Sequence, residues 1–253
     1  MKILYIPDIH VKRGVSNERL TWAGNLIVVE QPDVIVQAGD FADMESLSHW
    51  EYGKMSSEGK RYQDDIEAVI EAQELLFEPL ESYNKGRKKK YNPRRCITLG
   101  NHEYRIDKER DVNAKLSDTI STKDLMFEEF GWEVTPFKQV LTIEGINFSH
   151  YFPNGLMDKA VSGQNIGRTL LTNNARTSIQ GHNHVFNYST NVDLDGNRMH
   201  GISAGCYFEH EEHYVSKTIQ RTWWRGVVML DNVTNGDFDL RQIRMSTIKE
   251  LYR

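Results

Sequence analysis

The sequence predicts an α/β fold of two packed sheets with helices on their outer faces. Three observations carry this: a strand-helix-strand rhythm in the first part of the chain, a hairpin rhythm in the second, and five polar clusters that each follow a β-forming run. Residues 2–6 (Lys-Ile-Leu-Tyr-Ile) read as the first strand, which ends at Pro7. Asn17 stands where a helix cap is expected, and Leu20, Ala23, Ile27 and Glu30 follow at helical spacing, so a helix runs from about Glu18 to Gln31 before Pro32-Asp33 ends it. The apolar run 33–38 is then a buried strand parallel to the first, because a helical crossover joins them. Tyr62, Ile66, Val69, Ile70, Leu76, Phe77 and Leu80 recur at three and four and predict a long helix over 61–83. This helix lies within an insertion of about 41–95, and residues 96–99 form the third strand after it. Hairpins are expected around Glu144-Gly145, Asp195-Gly196 and Asn235-Gly236, with a helix over about 164–173 between the first two. On this reading the first half is parallel and the second mostly antiparallel.

A chain of 253 residues can fold as one domain with insertions, and residues 1–253 are expected to do so. No stretch approaches the ~20 apolar residues of a membrane span, so no membrane association is expected. Nothing resembling a signal peptide precedes the first strand, and Cys96 and Cys206 are too few for a disulfide framework, so a reducing cytoplasm is the expected location. The net charge of −5 provides no global attraction for polyanions, and a nucleic acid would have to meet a local patch.

The five clusters are Asp8-Ile9-His10, Gly39-Asp40 with Asp43, Gly100-Asn101-His102-Glu103, Ser149-His150 and Gly181-His182-Asn183-His184. Each falls at the carboxyl end of a strand, where α/β sheets gather ligands. Asp8 and His10 are two positions apart, as are His182 and His184, so each pair can face one ion. Asp40 stands centrally and has the two oxygens a bridging ligand needs to hold two ions ~3.5–4 Å apart. A carboxylate, amide and imidazole set without thiolate suits manganese, iron or zinc, with manganese the first expectation.

Asp-x-His, Gly-Asp, Gly-Asn-His-Glu, a separate His and Gly-His-x-His, in that order over residues 8–184, resemble the signature of the calcineurin-like metallophosphoesterases. The resemblance implies a four-layer α-β-β-α sandwich of two mixed sheets. It implies that Asp8, His10 and His184 hold one divalent ion, that Asn101, His150 and His182 hold a second, and that Asp40 bridges them. In such enzymes a metal-bridging hydroxide attacks phosphorus, and the His of Gly-Asn-His, here His102, stabilises the transition state or protonates the leaving group. Asp43 occupies the position that orients this histidine in the protein-phosphatase branch. That branch continues with Arg where this chain has Met44, the repair nucleases of the family tend to carry His where Asp43 stands, and Tyr151 replaces the usual Gly after His150. The layout is similar to small phage or prophage phosphoesterases, which would place the protein in a host cytoplasm.

Other features divide between two readings each. Residues 85–95 hold seven basic side chains, a polyanion patch or a solvated loop on the side away from the metals. Arg105 is placed to grip a substrate phosphate, whereas Arg110 is expected to pair with Asp107 or Glu109. His49, Trp50 and Tyr52 leave the second strand on the active face and either contact substrate, by stacking a base, or pack under the long helix. His210 and His213 among Glu209, Glu211 and Glu212 form either a further metal site or a solvated segment, and Trp223 and Trp224 are expected in the core. The expected activity is hydrolysis of phosphodiesters in DNA, RNA or nucleotides. The alternatives are a phosphomonoesterase acting on a small or protein substrate, and a non-catalytic metal-binding scaffold. Oligomeric state is not legible.

Overall fold

A computed structural model describes residues 1–156, 158–213 and 215–253. In chain order the elements are β1 (Ile3–Ile6), α1 (Glu18–Glu30), β2 (Val34–Gln37), α2 (Tyr62–Asn84), β3 (Arg94–Thr98), α3 (Tyr104–Val112), β4 (Trp132–Thr135), β5 (Leu141–Ile143), β6 (Ile146–Ser149) and α4 (Ile166–Asn174). The remainder are β7 (Ser178–Gln180), β8 (Phe186–Val192), β9 (Arg198–Ala204), α5 (Lys217–Gln220), β10 (Gly226–Thr234), β11 (Asp237–Arg244) and α6 (Met245–Tyr252).

Side-chain alternation along the strands builds two cores. One face of the first sheet turns Leu4, Ile6, Ile35, Ile97 and Met229 toward α1, α2 and α6, against Leu20, Ile27, Val69, Leu76 and Ile248. Its other face turns Ile3, Tyr5, Val36 and Val228 onto Phe148, Ile179 and Ile202 of the second sheet. Helix α4 covers the far side of the second sheet through Ile166 and Leu170, packed with Phe152 and Val161. These are the four α-β-β-α layers.

The first sheet has the order β11-β10-β1-β2-β3-β4 and the second β5-β6-β7-β9-β8. Both are mixed, as the resemblance implies: β1, β2, β3 and β4 of the first half pair in parallel, and most pairings of the second-half strands are antiparallel. The Asn235-Gly236 hairpin joins the first sheet, where β10 runs antiparallel to β1. In the second sheet β6·β7 and β7·β9 are parallel, and only the hairpin pairs β5·β6 and β8·β9 are antiparallel. The physical reason is α4: a helix between β6 and β7 is a crossover, and a crossover returns the chain in the same direction. Asn17 is a correction. It sits at the N-cap of α1 without a capping hydrogen bond, because its Oδ1 accepts from Arg19 Nη1 at 3.1 Å instead.

Strands β1, β2 and β3 and, in the other sheet, β6 and β7 all release their chains at one end of the sandwich. There the backbone is locked across clusters: Ile9 and His10 N–H groups donate to the Asp40 carbonyl at 3.0 and 2.9 Å, and Gly181 N–H to the His150 carbonyl at 3.0 Å.

Candidate metal centre

Asp8, His10, Asp40, His102, His150 and His184 are all buried, a costly placement for so many polar groups unless they are paired or bind metal. Four of the cluster residues, His10 (φ 49°), Asp40 (φ 48°), His182 (φ 64°) and His184 (φ 58°), occupy the left-handed region. Non-glycine residues pay ~1–3 kcal/mol for such geometry, which persists where surrounding contacts over-determine it. Two glycines help to impose it. A Cβ on Gly100 would collide with the Asp40 carboxylate and one on Gly181 with that of Asp8, so both carboxylates lie directly on main chain.

Two groups of donor atoms converge. In the first, His184 Nε2 lies 3.1 Å from Asp8 Oδ2, and His10 joins them. Both ring nitrogens of His10 are buried without a hydrogen-bond partner among the described residues. In the second, His150 Nε2 lies 3.0 Å from Asn101 Oδ1, 3.2 Å from His182 Nδ1 and 3.2 Å from Asp40 Oδ2. His150 Nδ1 is 3.0 Å from the Ala38 carbonyl, the arrangement of an N–H donor that leaves the Nε2 lone pair facing the cluster. Asp40 Oδ2 is also 3.7 Å from His10 Nε2, so it is shared by both groups.

The electrostatics draw in positive charge. Burial alone would raise the Asp8 and Asp40 carboxyls, yet the surrounding imidazoles hold both below the usual range. Burial opposes charge on His150, and Asp40 overrides it, raising the ring to about 9; burial and the neighbouring His150 push His182 down to about 4. An orphaned histidine, a His150 lone pair turned inward, carboxylates held ionised and an oxygen-nitrogen donor set fit divalent metal ions.

His102 lies beside both donor groups, its ring 4.5 Å from that of His10, and its donor atoms group with those of His10 and Asp43. Its Nδ1 lies 2.7 Å from the Asp43 carbonyl and 2.9 Å from Asp43 Oδ1, and its Nε2 lies 3.7 Å from Asp40 Oδ2 and 3.2 Å from Arg105 Nη2. Arg105 also donates to the Asp43 carbonyl at 2.8 Å. His49 stands further out, nearly half exposed, within 3.8 Å of Glu109. Trp50 and Tyr52 are exposed rather than packed under α2, and Arg110 pairs with Asp107 at 3.3 Å. Arg94 pairs with Glu133, Arg95 lies on the Phe77 ring, and the rest of the basic run is a surface segment at the far end of β3. Trp223 is buried as expected, against His184, while Trp224 is half-buried against Phe186.

Residues 1–186 match the family model of the calcineurin-like phosphoesterases, a span that holds every residue named in the two donor groups. The chain belongs to the calcineurin-like phosphoesterase family. No curated protein matches the chain. Membership and the His/Asp clusters together describe a metal-dependent phosphoester hydrolase with a phosphate ester as substrate. No helix among the described residues is long and apolar enough to cross a membrane.

Three residues of this phosphoesterase escaped the sequence reading. Glu103 is wholly buried, and its carboxylate accepts from the N–H groups of Asp40 (3.0 Å), Gly100 (2.7 Å) and Ala42 (2.9 Å). Burial and the Asp40 charge push its carboxyl up against those bonds. Lys12 Nζ lies 3.1 Å from both Asp43 Oδ2 and Glu212 Oε2, and Glu212 Oε1 is 3.6 Å from His10 Nδ1. His210 donates into the same carboxylate at 2.9 Å. Asp43, His210 and Glu212 are close enough to hold an ion, but the Lys12 ammonium already lies against two of them. Glu212 is thus buried and His210 half-buried rather than solvated, with the single lysine charge set between Glu212 and Asp43.

Proposed function

We propose that the protein is a dinuclear metal-dependent phosphodiesterase acting on nucleic acid or nucleotides. Asp8, His10 and His184 hold one ion, Asn101, His150 and His182 the other, and Asp40 bridges them. The mixed carboxylate, amide and imidazole set fits manganese, iron or zinc, and manganese is the ion proposed, with iron or zinc as alternatives. Two such ions, when bound, supply Lewis-acid charge to the phosphoryl oxygens and activate a water for in-line attack.

The chain's own residues do the rest. Asp43 accepts a hydrogen bond from the Nδ1–H of His102 and holds the aim of the ring, so that Nε2 faces the reacting phosphate; protonated there as the imidazolium, the ring gives that proton to the leaving oxygen and becomes neutral. Burial would raise the Asp43 carboxyl, but His102, His10 and Lys12 together hold it well below the usual range, so it stays ionised as this role needs. Arg105, half-buried beside His102, is placed to take a non-bridging phosphate oxygen.

The observation that carries the diesterase reading is that the site opens two ways. A cavity of about 650 Å³ includes His10, Asp40, His184 and Trp223, and a second cleft of about 290 Å³ runs toward Tyr104 and Tyr151. Trp50, Asn101 and Arg105 line both. A phosphodiester has a substituent on each side of phosphorus, and this opening receives both; a monoester needs one. The complete ligand set argues against a non-catalytic scaffold, and the buried, unpaired Cys96 and Cys206 fit a cytoplasmic location.

Manganese-loaded protein is expected to hydrolyse bis-p-nitrophenyl phosphate faster than p-nitrophenyl phosphate and to cleave DNA or RNA, and Asp40→Asn to abolish both activities. Cleavage of none of these, or full activity in Asp40→Asn, refutes the proposal. A preference for the monoester makes the protein a phosphatase.

A further inference from the structure

The second cleft differs from the main cavity in chemistry. The main cavity is lined by Asp40, Asp43, Glu45, Glu51 and Glu212, whereas among the described residues no acidic side chain lines the cleft. Its walls are aromatic and come from separate parts of the chain. Tyr104 of α3 lies against Phe137 with ring centroids 4.9 Å apart, Phe137 meets Tyr151 edge-on at 5.5 Å, and Tyr151 meets the His182 ring at 5.0 Å. An aromatic wall thus runs from the candidate metal ligands outward. All three rings are half-buried, and Trp50 at the mouth is 84% exposed.

Cations line the same cleft: Arg105, Lys108 and Lys138. Lys138 is held in the left-handed region (φ 66°), pairs with Asp158 and lies 5.5 Å from the Phe137 ring centre. Lys108 is exposed and makes no ion pair among the described residues. A local cluster of positive charge beside aromatic faces, on a chain of net charge −5, matches a ligand that alternates phosphates with flat rings.

We propose that the Tyr104–Phe137–Tyr151 cleft is a nucleotide subsite that holds a single-stranded polynucleotide on one side of the scissile phosphate. The proposal rests on the phosphodiesterase reading above and names its substrate class. A base still paired in a duplex keeps its faces stacked on its neighbours, so only an unpaired strand can offer them to Trp50 and Tyr151. Arg105 and Lys108 then follow the backbone away from the metals. The basic run at 85–95 takes no part, because it enters β3 at the amino end while Asn101 lies beyond the carboxyl end.

Binding is read without turnover by titrating labelled oligothymidylate and oligouridylate with the full-length protein in chelator, and following fluorescence anisotropy over a range of salt. Combining Trp50→Ala, Lys108→Ala and Lys138→Ala, all exposed positions, is expected to weaken binding at least about tenfold, in keeping with base stacking on aromatic side chains. It should also flatten the slope of log affinity against log salt by about 1.4, at about 0.7 per lost phosphate contact on a single strand. Melting curves verify that the variant stays folded. Combining Lys88→Ala, Lys89→Ala and Lys90→Ala is expected to change neither quantity. Binding of either strand type supports the subsite, and the two probes report whether ribose or deoxyribose is preferred. The subsite is overturned if neither oligonucleotide binds, if a duplex of equal length binds tighter, if the cleft variant binds like the parent, or if the Lys88–Lys90 variant is the one that loses affinity. Hydrolysis of bis-p-nitrophenyl phosphate by the metal-loaded protein separates the two failures, since it needs the metals and the two-sided opening at Asn101 and Arg105 but no strand bound along Lys108 and Lys138.

Discussion

Glu103→Gln is the most informative single change, because it alters the support of the site and touches no candidate ligand atom. Oε2 of Glu103 accepts from the N–H groups of Asp40 and Gly100, and Oε1 from that of Ala42. A glutamine has one acceptor oxygen, so its NH2 must face at least one of these buried donors. Leaving one such donor unmet costs about 1–3 kcal/mol. In a chain of this size each kcal/mol lowers Tm by roughly 2–4 °C, which sets the expected fall at about 2–12 °C. The loss should be larger with manganese than with chelator. Without cations the Glu103 charge is opposed by burial and by Asp40, whereas bound cations would offset that repulsion and leave the full value of the three bonds. Glu103→Ala strands all three donors and opens a cavity, a cost of several kcal/mol against a total stability of about 5–15 kcal/mol, so it is expected to fold poorly. Thermal melting in both states, with elemental analysis of bound metal, tests the argument. If Glu103→Gln melts within about 1 °C of the parent in both states and retains two ions, the carboxylate is not what holds Asp40 in place.

His102→Ala should lower kcat by about 10²–10⁴ while keeping both metals, and Asp43→Asn should lower it by about 10–100-fold; loss of an ion from His102→Ala would make that ring a ligand instead. Asp65 is buried at the start of α2, with its Oδ2 accepting from Ser46 N–H at 3.0 Å, and burial pushes its carboxyl up to about 6. A raised folded-state pKa means stability present at low pH that is lost as pH rises through about 6, worth up to about 3 kcal/mol. Asp65→Asn keeps the acceptor and removes the charge, so its stability relative to the parent, measured by urea unfolding, should climb between pH 4 and 6 and then level. A difference independent of pH would show that the carboxylate pays no burial cost.

The ligand clusters were readable because each is a few residues long and sits just after a strand whose pattern is also local. Asp8 and His10, or His182 and His184, are neighbours in both sequence and space. The supporting charges are not: Lys12 and Glu212 lie 200 residues apart and meet only once β10 pairs beside β1 and the segment after β9 folds over the cluster. Glu103 was visible in Gly-Asn-His-Glu, yet its role depends on the turn bringing it beneath Asp40, which no spacing reveals. Strand β7 has three residues, too few for a periodicity, so the sequence rhythm showed the hairpins around it but not the parallel β6-α4-β7 crossover. The aromatic cleft draws Tyr104, Phe137 and Tyr151 from three elements, and each ring alone resembles ordinary core.

Charge supplies an argument for metal that does not use the motif order. Asp8, Asp40, Asp43, Glu103 and Glu212 are five buried carboxylates packed around one another. Among the described residues the lysines and arginines within ion-pair distance of them are Lys12 and Arg105. With neutral imidazoles this leaves three negative charges in excess, an arrangement that costs several kcal/mol per ion unless it is neutralised. His150 answers in part, its ring raised to about 9 by Asp40 first among the carboxylates. Two divalent cations would bring four positive charges, displace the His150 proton and leave the centre one charge positive. That is the polarity an anionic phosphate ester needs, and Lys12, one positive charge set between Asp43 and Glu212, offsets one of those two carboxylates from within.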